Sequence, residues 1–184
     1  MTALTPSTQP GATSLTWVEM GKLESRLLAG DEVLGTFRRS GGWGAPAAGE
    51  TTEERWTFEK AGLLNPRIVA QPVGSKVQAA TLSIGWRGSG TIELASRRWF
   101  RLTSRGFWRS EWVLIDSDRK RLLTIRPEFE RGQTRASLEV DPAALSLREL
   151  PLLAMLCWYA VLLFSYDGGT GEGAIIATSS AGTS

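Results

Sequence analysis

The side chains best suited to chemistry in this chain are cations beside aromatic rings. Arg97, Arg98, Arg101, Arg105 and Arg109 are interleaved with Trp99, Phe100, Phe107 and Trp108, and Arg119, Lys120 and Arg121 follow closely. Such a surface suits anionic lipid headgroups or nucleic acid. The same residues also suit a solvated outer face, with ion pairs to Glu111, Asp116 and Asp118 and arginines resting on rings by cation–π contact. These eight cations are the candidate site for an anionic surface. The formal net charge is only +2, so no strong overall field is implied and nucleic acid is not the expected partner.

Catalytic chemistry has little to work with. There is no His among the 184 residues, which removes the commonest general base and the commonest metal ligand. It also removes any Ser-His-Asp arrangement. Cys157 is the only cysteine and lies in an apolar run, where it reads as a small buried hydrophobe. One cysteine allows neither an internal disulfide nor a cysteine-based zinc site, and fits a reducing compartment. Asp116, Asp118, Glu128 and Glu130 could suggest a carboxylate pair or a cation site. However, Asp116-Ser117-Asp118 falls at an expected hairpin turn, where such side chains bond their own backbone. Residues 85–90 (GWRGSG) precede a strand and not a helix, so they lack the helix N-terminus of a phosphate loop. No enzyme, cofactor or metal is expected.

The elements that must carry these residues read as strands. Alternation or turn signals predict strands over 15–20, 24–29, 32–38, 51–60, 67–73, 76–84, 90–95 and 98–103. Residues 40–50 (SGGWGAPAAGE) read as a loop. A repeat is visible at an offset of 44 residues: Phe100 and Leu102 stand where Trp56 and Phe58 stood, and Val113 follows Val69. The first hairpin, GDEVLGTFRR, resembles the third quarter of each later unit, which suggests a degenerate first copy. Three units of four strands give about twelve strands, too few units to close a propeller and enough for one antiparallel barrel.

Residues 151–166 (PLLAMLCWYAVLLFSY) carry no charge and are apolar on every side of a helix. Such a helix must be buried, in a core or in a bilayer. Asp141-Pro142 is expected to start a short turn, Ser146 and Glu149 have capping-box spacing, Pro151 suits the first helical position, and Asp167-Gly168-Gly169 ends the run. At about 1.5 Å per residue the run is short for a hydrocarbon layer of about 30 Å. The expected role is to fill a mainly β barrel of about twelve antiparallel strands. The alternative is a tail-anchor-like segment, 151–166, inserted in the bilayer. The expected organisation is a disordered lead-in over 1–14, one barrel domain over 15–166 and a disordered tail over 167–184.

Several stretches carry a family resemblance: Trp56-Thr57-Phe58, Gly62-Leu63-Leu64, the run from Ser83 to Leu94, and Glu149-Leu150-Pro151-Leu152-Leu153. On these the chain resembles the tubby C-terminal-like superfamily, shared with phospholipid scramblases and LURP-one-related proteins. It is most similar to uncharacterised bacterial members with a Trp-x-Gly-x-Gly stretch and a Glu-Leu-Pro-Leu-Leu motif. The resemblance implies a twelve-stranded barrel around an apolar C-terminal helix and leaves lipid binding as an analogy. The phosphoinositide pocket of the tubby proteins maps onto no residues here, and the cysteine-rich segment and acidic calcium loop of scramblases are missing. The expected protein is a non-enzymatic binding or interaction module, cytoplasmic and peripheral to the membrane. Its partner is an anionic phospholipid surface or another protein.

Overall fold

The structure, a computed structural model, describes residues 11–41, 45–62, 65–85, 89–105, 110–130 and 133–167. The expected lead-in and tail lie largely outside these residues. Twelve strands follow one another as an antiparallel meander: β1 (Thr13–Met20), β2 (Glu24–Ala29), β3 (Glu32–Arg39), β4 (Ala47–Glu50), β5 (Arg55–Ala61), β6 (Arg67–Pro72), β7 (Ala80–Ile84), β8 (Ser89–Leu94), β9 (Trp99–Arg105), β10 (Glu111–Ile115), β11 (Arg121–Glu130) and β12 (Gln133–Val140). The sheet closes on itself through β1 and β12, with Thr13 opposite Val140 and Val18 opposite Arg135. The expected mainly β barrel of twelve antiparallel strands is what forms. Closure leaves no exposed edge for another chain to extend.

The repeat is structural. β5 and β9 begin at residues 55 and 99, β6 and β10 at 67 and 111, and β8 and β12 at 89 and 133, each pair 44 apart. The hairpin motif of the degenerate first copy supplies β3, the third strand of its unit, as β7 and β11 are of theirs. Along most strands alternate side chains are buried: Leu15, Trp17 and Glu19 on β1, Trp56 and Phe58 on β5, Phe100 and Leu102 on β9; β10 and β11 depart from this, with Trp112–Leu114 and Leu122–Ile125 buried in unbroken runs. The alternation is the period-2 pattern of a sheet with one face in a core.

Three local expectations differ from the structure. Residues 47–50 form β4 instead of continuing the loop, held between β3 and β5 by pairings such as Phe37–Gly49 and Gly49–Trp56. Residues 51–54 are a turn, not strand, because the Thr51 hydroxyl accepts from the backbone N–H groups of Glu53 and Glu54. Residues 76–79 are also outside a strand, with Ser75 Oγ accepting from the Val77 N–H at 3.0 Å. In both places a local side-chain acceptor outcompetes the ladder.

After β12, Asp141 caps a 3₁₀ turn (Pro142–Ala144), accepting from the Ala143 N–H at 2.9 Å. The capping-box spacing of Ser146 and Glu149 is not used: Ser146 donates back to the Ala143 carbonyl. Helix α1 (Leu150–Asp167) follows, with Pro151 in its first turn. Every residue from Leu152 to Leu163 is at most 6% exposed. These residues join the buried strand faces in one hydrophobic core. Trp158 stacks on Trp17 of β1 with centroids 5.4 Å apart and planes within 4°, Tyr159 packs on Phe37 of β3 and Phe58 of β5, and Phe164 meets Trp112 of β10. Glycines bring β3 and β4 close to the helix. A Cβ on Gly35 would come within 2.8 Å of Met155 Cε, and one on Gly49 within 2.5 Å of Met155 Sδ and 2.9 Å of Phe58.

The Tyr159 hydroxyl donates to the Ala45 carbonyl in the β3–β4 connection at 2.6 Å, and burial pushes its pKa up to about 12. An unfolded tyrosine titrates near 10, so between pH 10 and 12 the unfolded chain releases a proton that the folded chain keeps. Stability is full below pH 10 and is expected to fall by about 2–3 kcal/mol as the pH rises to 12. Tyr159→Phe, measured by urea unfolding across this range, should flatten that slope while losing about 1 kcal/mol at neutral pH. Equal slopes in both proteins would contradict the assignment.

Candidate functional site

The meander sorts the connections to two ends. The turns 30–31, 51–54, 95–98 and 116–120, and the connection 73–79, lie at the end where α1 begins; the turn 21–23 and the connection 40–46 lie at the other. β9 alternates Phe100 and Leu102, buried, with Trp99, Arg101, Thr103 and Arg105 on its outer face. Arg101 is opposite Ile115 of β10, and Ile115 is opposite Arg121 of β11. The register therefore sets Arg101 and Arg121 in one row across three strands. Arg97 and Arg98 lie in the β8–β9 turn and Arg119 and Lys120 in the β10–β11 turn, both at the end where α1 begins. Seven of the eight expected cations thus share one sector of the barrel; Arg109 lies outside the described residues.

Of the carboxylates expected to neutralise this sector, Glu111 is paired elsewhere and Asp116 is engaged by the backbone of its own turn. Glu111 binds Arg126 at 3.0 Å, and Arg126 also binds Glu139 at 2.7 Å. Glu139 first, and then Glu111, raise the pKa of that guanidinium. Asp116 Oδ1 accepts from the backbone N–H groups of Asp118 and Lys120, fixing the turn as its residue type suggested. Arg98 has a partner, Glu149, at 3.4 Å, and lies 5.4 Å from the centroid of the Phe100 ring. Among the described residues Arg97, Arg101, Arg105, Arg119, Lys120 and Arg121 make no ion pair.

The opposite side of the barrel differs. There Arg38 and Arg26 both bind Glu24, at 3.0 and 2.9 Å, and hold its carboxyl below the usual range. Residues 11–72 contain seven Lys/Arg and eight Asp/Glu, whereas 73–140 contain thirteen and seven. The small net charge hides this asymmetry.

Alternation along β1 and β3 contained a further signal. Glu19 and Arg39 fall on the faces of Trp17 and Phe37, and they form a buried ion pair at 3.0 Å. A shallow cavity of about 360 Å³ lies between the 73–79 connection and the β8–β9 turn, bordered by Gln78, Thr81, Glu93 and Arg97. Burial pushes the Cys157 thiol pKa well up, leaving it protonated and unreactive in the core. Among the described residues no cluster of three or more His, Cys, Asp or Glu could hold a metal ion. Among them, too, no helix is long and apolar enough to cross a membrane. No family model, curated protein or solved structure matches the chain.

Proposed function

We propose that the chain is a non-enzymatic barrel of the tubby C-terminal-like kind, threaded by α1, that docks on anionic membrane surfaces through the exposed cations of β9, the start of β11 and the adjoining turns. The observation that carries this reading is the row Arg101–Ile115–Arg121, continued by the turn cations Arg97, Arg119 and Lys120, which make no ion pair among the described residues. Cations without partners are not needed to hold the barrel and remain available to headgroups. The packing of α1 against β1, β3, β5 and β10 supports the threaded arrangement over a tail anchor, because its apolar surface is already in contact with strands. The cytoplasmic leaflet, rich in anionic lipid, is the matching surface.

Each Lys or Arg near such a surface contributes about 1 kcal/mol. The Arg101→Ser/Arg121→Ser variant should therefore partition about thirtyfold more weakly onto phosphatidylserine-containing vesicles, and native binding should fall steeply with salt. Co-sedimentation with neutral and anionic vesicles measures this. Equal binding to both, or none, would sink the proposal.

A further inference from the structure

The two turns at the cationic sector share an unusual backbone. In the β8–β9 turn the Leu94 N–H donates to the Arg98 carbonyl and the Arg97 N–H to the Leu94 carbonyl; in the β10–β11 turn Asp116 bonds Lys120 and Arg119 bonds Asp116 in the same pattern. The residue just before the one whose carbonyl closes the turn (Arg98 or Lys120) is left-handed in both, with φ of 64° at Arg97 and 63° at Arg119. Among the described residues these are the non-glycine positions of positive φ. Left-handed positions at the same end of the barrel, Gly30 and Gly74, carry glycine, the residue that takes this conformation without steric cost. Each left-handed arginine is followed by a second cation, Arg98 or Lys120. Arg101 stands opposite Ile115, so the tips are neighbours, about 10 Å or two strand spacings apart.

Exposed apolar side chains lie beside them. Val77 of the 73–79 connection is 68% exposed, and Trp99, directly after the first tip, is 43% exposed. The connection also carries Lys76 and borders the same cavity as Arg97. On the other flank of this connection, where the Val73 N–H donates to the Arg55 carbonyl at 2.9 Å, the β4–β5 turn carries Glu53 and Glu54, and beyond it the β2–β3 hairpin carries Asp31 and Glu32.

From these observations we infer that the barrel meets an anionic bilayer tip-first and tilted. Arg97 and Arg119 hold headgroup phosphates, and Val77 and Trp99 enter the headgroup–acyl boundary. The inference rests on the proposed membrane contact and fixes its residues and orientation. Strain retained at two equivalent positions is accounted for when the side chain there has a task that glycine cannot perform. A free phosphate or a nucleic acid would use the cations but would leave Val77 and Trp99 in water; a bilayer uses both. The acidic β2–β3 and β4–β5 hairpins, on the far flank of the 73–79 connection, set the tilt, because they are repelled by the same surface.

The test uses Arg97→Gly/Arg119→Gly, with Lys22→Ser/Arg67→Ser at the other end as a control of equal charge. Glycine relieves the left-handed backbone, so the thermal midpoint of the tip variant should stay level or rise while its partition onto phosphatidylserine-containing vesicles drops about thirtyfold. The control should remain within about threefold of the native chain. Val77→Ser/Trp99→Ser should weaken vesicle binding without changing its salt dependence. If the native chain ignores anionic vesicles, the membrane reading beneath this inference falls. If the native chain binds and the tip variant matches it while Arg101→Ser/Arg121→Ser loses affinity, the strand face alone docks and the inference is overturned. It is equally overturned if the tip variant loses thermal stability with its binding, or if inorganic phosphate competes as well as vesicles do.

Discussion

Trp158→Ala is expected to lower the unfolding free energy by about 3–5 kcal/mol, the range for deleting a large buried aromatic. Trp158 is fully buried at the middle of α1 and lies flat on Trp17 of β1. Its removal leaves a void between helix and strand that close-packed neighbours fill only in part, and Trp17 loses its stacking partner. The indole N–H groups of Trp17 and Trp158 are both buried without a hydrogen-bond partner. Trp158→Phe should therefore be much milder, because it also removes an unpaired donor whose burial costs about 1–3 kcal/mol. Urea unfolding of the three proteins decides it. A loss below about 1 kcal/mol for the alanine variant would mean that α1 and β1 are not packed as described.

Arg39→Ala is expected to cost a similar about 3–5 kcal/mol by a different mechanism. The Arg39 guanidinium, on β3, binds the Glu19 carboxylate of β1 at 3.0 Å and the Lys22 carbonyl at 2.6 Å. The second oxygen of Glu19 accepts from the Thr134 N–H of β12 at 3.1 Å. One network thus ties the closing seam, β1 and β12, to β3. Truncating Arg39 removes the guanidinium bound to a buried carboxylate, and the poorer compensation of that buried charge is the larger part of the cost. Glu19→Met/Arg39→Met should recover most of the loss, since both members of the buried pair are then removed together. It should not recover all of it, because the Lys22 carbonyl and the Thr134 N–H lose partners. Were the double variant as unstable as the single one, the ion pair would be contributing attraction well beyond avoided desolvation.

Local chemistry explains what could be read from the chain. Period-2 alternation placed Trp56, Phe58, Phe100 and Leu102 on the buried face, and the Asx turn at Asp116 followed from residue type. β4 was hidden because Ala47, Ala48 and Gly49 carry no strand propensity. Their small size suits the approach of Met155, a need that appears only once the helix is placed. The arginines were legible as a cluster but their partners were not. Glu111 turns to Arg126 because β10 and β11 are paired in a particular register, and register is a long-range property. The left-handed Arg97 and Arg119 escape a reading from residue type because glycine is the residue such positions favour. The inward Glu19 and Arg39 were present in the alternation of β1 and β3, and a polar residue on an apolar face is the signal to pair them.

That α1 is enclosed by the strands, leaving binding to the outer surface, is tested most directly by Cys157. It is the only cysteine, lies mid-helix and is fully buried. The measurement is its labelling rate with a thiol reagent in native buffer and at rising urea concentrations below the midpoint. If α1 is enclosed, labelling waits for global unfolding: it is very slow in buffer and accelerates with the urea dependence of whole-chain unfolding. Labelling in native buffer at the rate of an exposed thiol, independent of urea, would contradict the enclosed helix and the location of function that depends on it.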